Sequence, residues 1–121
     1  VAEKTFDMIR AKAASGESFL LIGRCGEQVL KENPNMISIF ICGDPQFKLT
    51  RVMDKLGLDA EDAIEEIKSV DRSRKNYHNY YCDTKWGDAR GYDMTVKSDV
   101  LGCEETAKLL VGYIRSFMAQ D

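Results

Sequence analysis

Hydrophobic spacing along the chain switches between helical and strand-like patterns. From Ala2 to Ala14, Phe6, Ile9 and Ala13 recur at helical spacing, and Ser15-Gly16 stops the pattern. Ser18 to Gly23 (SFLLIG) is a short apolar run that predicts a buried strand. Cys25 to Lys31 predicts a short helix, ended by Asn33-Pro34. Met36 to Cys42 (MISIFIC) is continuously apolar, so it predicts a strand buried on both faces. Gly43-Asp44-Pro45 reads as a strand-to-helix turn, with Asp44 as N-cap and Pro45 at the first helical position. A helix over Gln46 to Leu56 follows, carrying Leu49, Val52, Met53 and Leu56 on one face and stopped by Gly57. Asp59 caps a further helix whose stripe is Ala63, Ile64, Ile67 and Val70, running to Tyr77 or beyond. Tyr92 to Val96 alternates and predicts a third strand. From Gly102 or Cys103 to Met118, apolar residues repeat at three and four, predicting a final helix.

Strands alternating with helices predict an α/β domain, a parallel sheet with helices on both faces in three layers. Three strands are few where the usual count is roughly five. Further strands are expected upstream of Val1, a residue that is not Met and that stands at the edge of a helical pattern. The whole of 1–121 reads as a single domain, and about 58–91 forms its helical lid-like segment.

Composition narrows the function classes. The net charge is −3 with 31% charged residues, so no whole-molecule field favours nucleic acid or a membrane surface. No apolar run approaches the ~20 residues that span a bilayer. Cys25, Cys42, Cys82 and Cys103 form no C-x-x-C pair, and a single His leaves no zinc set by spacing. They read as reduced, mostly buried thiols of a cytoplasmic protein, with no metal ligands among them. What remains is local: Val70 to Asp93 interleaves Arg72, Arg74, Lys75, Lys85 and Arg90 with Tyr77, Tyr80, Tyr81, Trp86 and Tyr92. Guanidinium groups match phosphate oxygens, which makes this stretch a candidate phosphate surface. Charge runs are more commonly a solvated helix face. Arg72 and Arg74, two apart, cannot share one face, so one of them is expected to pair with Asp71 or Glu66.

Three runs carry a family resemblance: LLIGRCGEQVL, ISIFICGDPQFKLTRV and VDRSRKNYHNYYCDTKWGDARGYD. Together they resemble the cytidylate-kinase-like branch of the P-loop nucleoside monophosphate kinases. The likeness covers nearly the whole chain, as the C-terminal part of such a kinase. It implies a parallel five-stranded sheet, a helical lid, and transfer of the ATP γ-phosphoryl group to a nucleoside monophosphate, with ATP and Mg²⁺ as cofactors. By the same resemblance Arg24 faces the acceptor phosphate and Arg51 lies near the lid hinge. Arg72, Arg74 and Lys75 match the lid cations that close on the transferred group, with Arg72 and Arg74 as the catalytic pair. The sequence contains no G-x-x-x-x-G-K-[ST] phosphate loop. That leaves a second reading, a non-catalytic phosphate- or nucleotide-binding module on the same scaffold. A small nucleic-acid binder is a third, against which the acidic charge argues. His78, beside tyrosines, reads as scaffold. An exposed sheet edge offers a route to a homo-oligomer.

Overall fold

The computed structural model describes residues 2–120. The elements are α1 (Ala2–Ala14), α2 (Gly26–Val29), β1 (Ile39–Cys42), α3 (Pro45–Leu56), α4 (Ala60–Tyr81), β2 (Met94–Lys97), α5 (Ser98–Leu101) and α6 (Cys103–Met118). A 3-10 turn at Ala89–Gly91 precedes β2. No helix among the described residues is long and apolar enough to cross a membrane.

β1 and β2 run parallel, in the register Ile39 to Met94 through Cys42 to Lys97. Their start is clamped by Ser38 and Asp93. The Ser38 amide donates to Asp93 Oδ2 at 2.8 Å, and the Asp93 amide returns a bond to Ser38 O at 2.9 Å. α3 and α4 form the crossover and pack on each other. The caps are those the chain dictates. Asp44 accepts from the Gln46 amide ahead of Pro45, and Gly57 ends α3 with φ 66. Asp59 accepts from the Asp62 amide to start α4.

The sheet is smaller than the apolar pattern predicts. Ser18 to Gly23 forms no strand: the run has no regular secondary structure, and Leu20 and Ile22 are 84% and 80% exposed. An apolar run reports a tendency to be buried, while a strand needs a neighbour to bond, and the described residues provide none there. Met36 to Cys42 pairs only over its last four residues, and Ile41 is 52% exposed, so β1 is not covered on both faces. The described residues thus form a mixed α/β fold around a two-stranded parallel sheet, without the strand predicted at Ser18 to Gly23 and without a three-layer sandwich.

The core is thin. Ile9, Cys25 and Ala63 are its buried apolar residues, with His78 and Thr106 as buried polar ones. The aromatic residues of the 77–92 stretch supply much of the rest. Trp86 and Tyr92 pack on Phe40 of β1 with ring centroids 5.4 and 5.0 Å apart. Tyr81 meets Phe6 of α1 edge-on at 5.3 Å. These contacts fix the second half of α4 and its trailing loop against the sheet and α1.

Candidate functional site

The turn before α2 is unusual in its backbone. Gly23, Arg24 and Cys25 all have positive φ, at 75°, 62° and 58°. For a side-chain-bearing residue this left-handed conformation costs roughly 1–2 kcal/mol. Packing holds it in place. Cys25 is 4% exposed, its carbonyl accepts the Gln28 and Val29 amides, and a Cβ at Gly26 would collide with the Leu21 side chain. Strained non-glycine residues concentrate at ligand sites.

The strain aims Arg24 at α4. Its guanidinium lies 5.8 Å from the centroid of the Tyr77 ring, a cation–π contact. Tyr77 also lines an open groove along α4, together with Ser69, Arg72, Ser73, Asn76 and Tyr80. Tyr77 therefore links Arg24, which reaches its ring, to the face of α4 that carries Arg72, although the two arginines are far apart in sequence. Arg74 does not line this groove, as helical geometry requires of a residue two positions on. Lys75 does not line it either.

Among the described residues Arg72, Arg74 and Lys75 are exposed and make no ion pair. The expected pairing of one arginine with Asp71 or Glu66 does not form: Asp71 is taken by Lys48 from α3, at 3.5 Å. Arg51 lies elsewhere. Its guanidinium donates to Cys103 Sγ at 3.3 Å at the start of α6, and it does not line the groove. Arg90 belongs to neither place, since Asp88 clamps it through two bonds of 3.1 and 2.8 Å. That pair holds the Asp88 carboxyl down at about 2, chiefly through its bond to the Arg90 side chain. Asp83 is likewise held low, by Gln28 and Lys31. The basic-aromatic stretch thus divides into neutralised structural charges and a free set on α4.

A second cluster sits behind Arg24, and spacing along the chain did not reveal it. Cys25, His78 and Cys82 bring one ligand atom each to within 4.8 Å of one another. His78 is 4% exposed, and its Nδ1 lies 3.1 Å from Glu27 Oε1. Its Nε2 is buried and has no hydrogen-bond partner. Burial raises the Cys25 thiol and drives the Cys82 thiol far above the ordinary thiol range, with a hydrogen bond between the two thiols raising Cys82 further. All four thiols are free, but they are not mostly buried: Cys25 is buried, Cys42 and Cys82 are half-buried, and Cys103 is exposed. The available signal was the spacing of His78 and Cys82, four apart and hence on one helix face. The third member, Cys25, comes only with the fold.

The described residues form an α/β protein in which a parallel strand–helix crossover is joined by a strained arginine turn set against α4. The chain belongs to the cytidylate kinase-like family, which it matches over residues 1–100. It is also similar to a solved structure, an uncharacterized protein from Eubacterium ventriosum ATCC 27560. That likeness has 44% identity and a TM-score of 0.88, and covers 95% of this chain and 65% of that one. The chain thus spans about two thirds of the length of that neighbour. No curated protein matches it.

Proposed function

We propose that the protein carrying this chain is a nucleotide kinase that passes the ATP γ-phosphoryl group to a nucleoside monophosphate. One observation carries the reading: Arg24 reaches the Tyr77 ring, and Tyr77 lies on the same open face of α4 as the unpaired Arg72. Phosphoryl transfer asks the protein mainly for positioning and positive charge around the equatorial oxygens. In this reading Arg24 grips the acceptor phosphate and Arg72 neutralises charge developing on the transferred group. Arg74 and Lys75 approach only as the lid closes, and Arg51 acts at the hinge between α3 and α6. The two strands belong to a larger parallel sheet covered by helices on both faces. The free thiols fit a cytoplasmic setting.

The residues in hand fit an anionic phosphate better than the cofactors. Mg²⁺ takes hard oxygen ligands. The one cluster of three metal-binding groups among the described residues is of sulfur and imidazole. The lysine-bearing loop that would cradle ATP is not in this sequence. No step is therefore routed through the ion. The same lack of a phosphate loop favours the second reading, a phosphate-binding module without transfer, for these 121 residues taken alone.

A phosphotransfer screen of the full-length protein against each nucleoside monophosphate separates the two. Transfer to one acceptor is expected, with Arg24→Ala and Arg72→Ala each lowering turnover ~10²–10³-fold. Arg74→Ala is expected to cost less than Arg72→Ala. Binding of nucleotide without turnover establishes the module instead, and full activity in both Arg24→Ala and Arg72→Ala refutes the assignment of the groove.

A further inference from the structure

We propose that Cys25, His78 and Cys82 form a zinc site that clips the strained Arg24 turn to the end of α4. Three observations converge on it. The three ligand atoms already lie within 4.8 Å of one another. Tetrahedral zinc, with bonds of about 2.3 Å to sulfur and 2.0–2.1 Å to nitrogen, holds its ligand atoms roughly 3.5–3.8 Å apart, so at most about 1.3 Å of contraction is needed. The donor set, two thiolates and an imidazole, is the soft-to-borderline set that selects zinc over Mg²⁺ or Ca²⁺.

The histidine is the most telling member. A buried imidazole ordinarily finds partners for both nitrogens. Here Nδ1 faces Glu27 at 3.1 Å, and Nε2 on the other side of the ring is buried without a hydrogen-bond partner. A carboxylate on the far nitrogen is the arrangement that orients ligating histidines and raises their basicity. Glu27 is two residues on from Cys25, so the orienting group and the first thiolate come from the same segment. Cys82, half-buried at the end of α4, gives the ion its way in. On binding, each thiol gives up its proton to solvent and the sulfur lone pair goes to zinc. The metal's charge stays at +2 and no redox partner is involved. Water completes the fourth position. The site is independent of phosphoryl transfer: it joins two segments, and its loss need not touch the groove chemistry directly.

The test uses Co²⁺ and Zn²⁺ on the chelator-stripped, fully reduced protein. Co²⁺ is expected to bind one per chain, with the thiolate charge-transfer band and the intense visible bands of a tetrahedral site, and Zn²⁺ to displace it. Zn²⁺ is expected to raise the thermal midpoint. Cys82→Ser removes the charge-transfer intensity of one thiolate and weakens binding, whereas Cys42→Ser and Cys103→Ser leave the spectrum unchanged. Glu27→Gln weakens zinc ~10–100-fold while the tetrahedral spectrum persists. Cys25→Ser and His78→Ala risk misfolding, so the wild-type cobalt spectrum and the Cys82→Ser variant carry the decision. An absent tetrahedral cobalt spectrum in reduced wild-type protein overturns the proposal. So does a spectrum lost with Cys42 or Cys103 instead of Cys82, or a Cys25–Cys82 disulfide in purified protein that retains no metal.

Discussion

Arg24 stands in a conformation that glycine would occupy at no steric cost. At φ 62 its side chain is strained, yet that backbone is what turns the guanidinium over Tyr77. Arg24→Gly is therefore expected to stabilise the fold, by up to about 1 kcal/mol, while weakening phosphate binding. Denaturant unfolding checks the first and phosphate titration the second; a variant less stable than the parent would show that the turn is not strained. Asp88 gives a pH prediction with a definite sign. Its carboxyl titrates at about 2 in the folded protein, below the ordinary 3.8. Its contribution to stability is thus full above the ordinary value and fades as pH falls toward about 2. Carboxyl chemical shifts followed through acid should place Asp88 there, and Arg90→Ala should return it toward the ordinary value. In metal-free protein, alkylation is expected to reach exposed Cys103 well before Cys25, whose burial raises its thiol.

At the scale of elements, stability resides in local caps more than in a deep core. Asp44→Ala removes the side chain that accepts the Gln46 amide and is expected to cost about 1 kcal/mol, as is Asp59→Ala at the start of α4. Thermal unfolding of each variant measures it, and a change within error at both sites would contradict the capping account. These same caps were legible in the chain, because Asp-Pro before a helix and Gly after one act through their immediate neighbours. α3 and the start of α4 could be placed for that reason, while α6, which has no side-chain cap, was placed by its apolar repeat alone. Ser18 to Gly23 could not, since an apolar run records a need for burial and says nothing of whether a strand lies beside it. The candidate site was half legible. Arg24 and Arg72 were named from family motifs, but the link between them through Tyr77 depends on how α4 lies against the turn before α2. The Cys25, His78 and Cys82 cluster was read as separate thiols and a scaffold histidine, because its members come from two segments that only the fold joins.

At the scale of the whole molecule, surface is the dominant fact. The chain exposes 9039 Å². A compact monomer of 13.7 kDa exposes about 6,600 Å². Much of the excess is apolar, including Phe19, Leu20, Ile22 and Ile41. These 121 residues alone are expected to bind a hydrophobic dye and to unfold with a urea slope below the usual value for their length, because unfolding exposes less new surface. A steep transition without dye binding would contradict this, and sedimentation would show whether self-association at the sheet edge covers the excess. The clamp between Ser38 and Asp93 has a kinetic consequence as well. The two residues are 55 positions apart, and closing a loop of that length costs about 3–4 kcal/mol of chain entropy. The helices between them need no such closure, so α3 and α4 assemble early and the strands join last. Asp93→Ala should therefore accelerate unfolding while leaving the folding rate nearly unchanged.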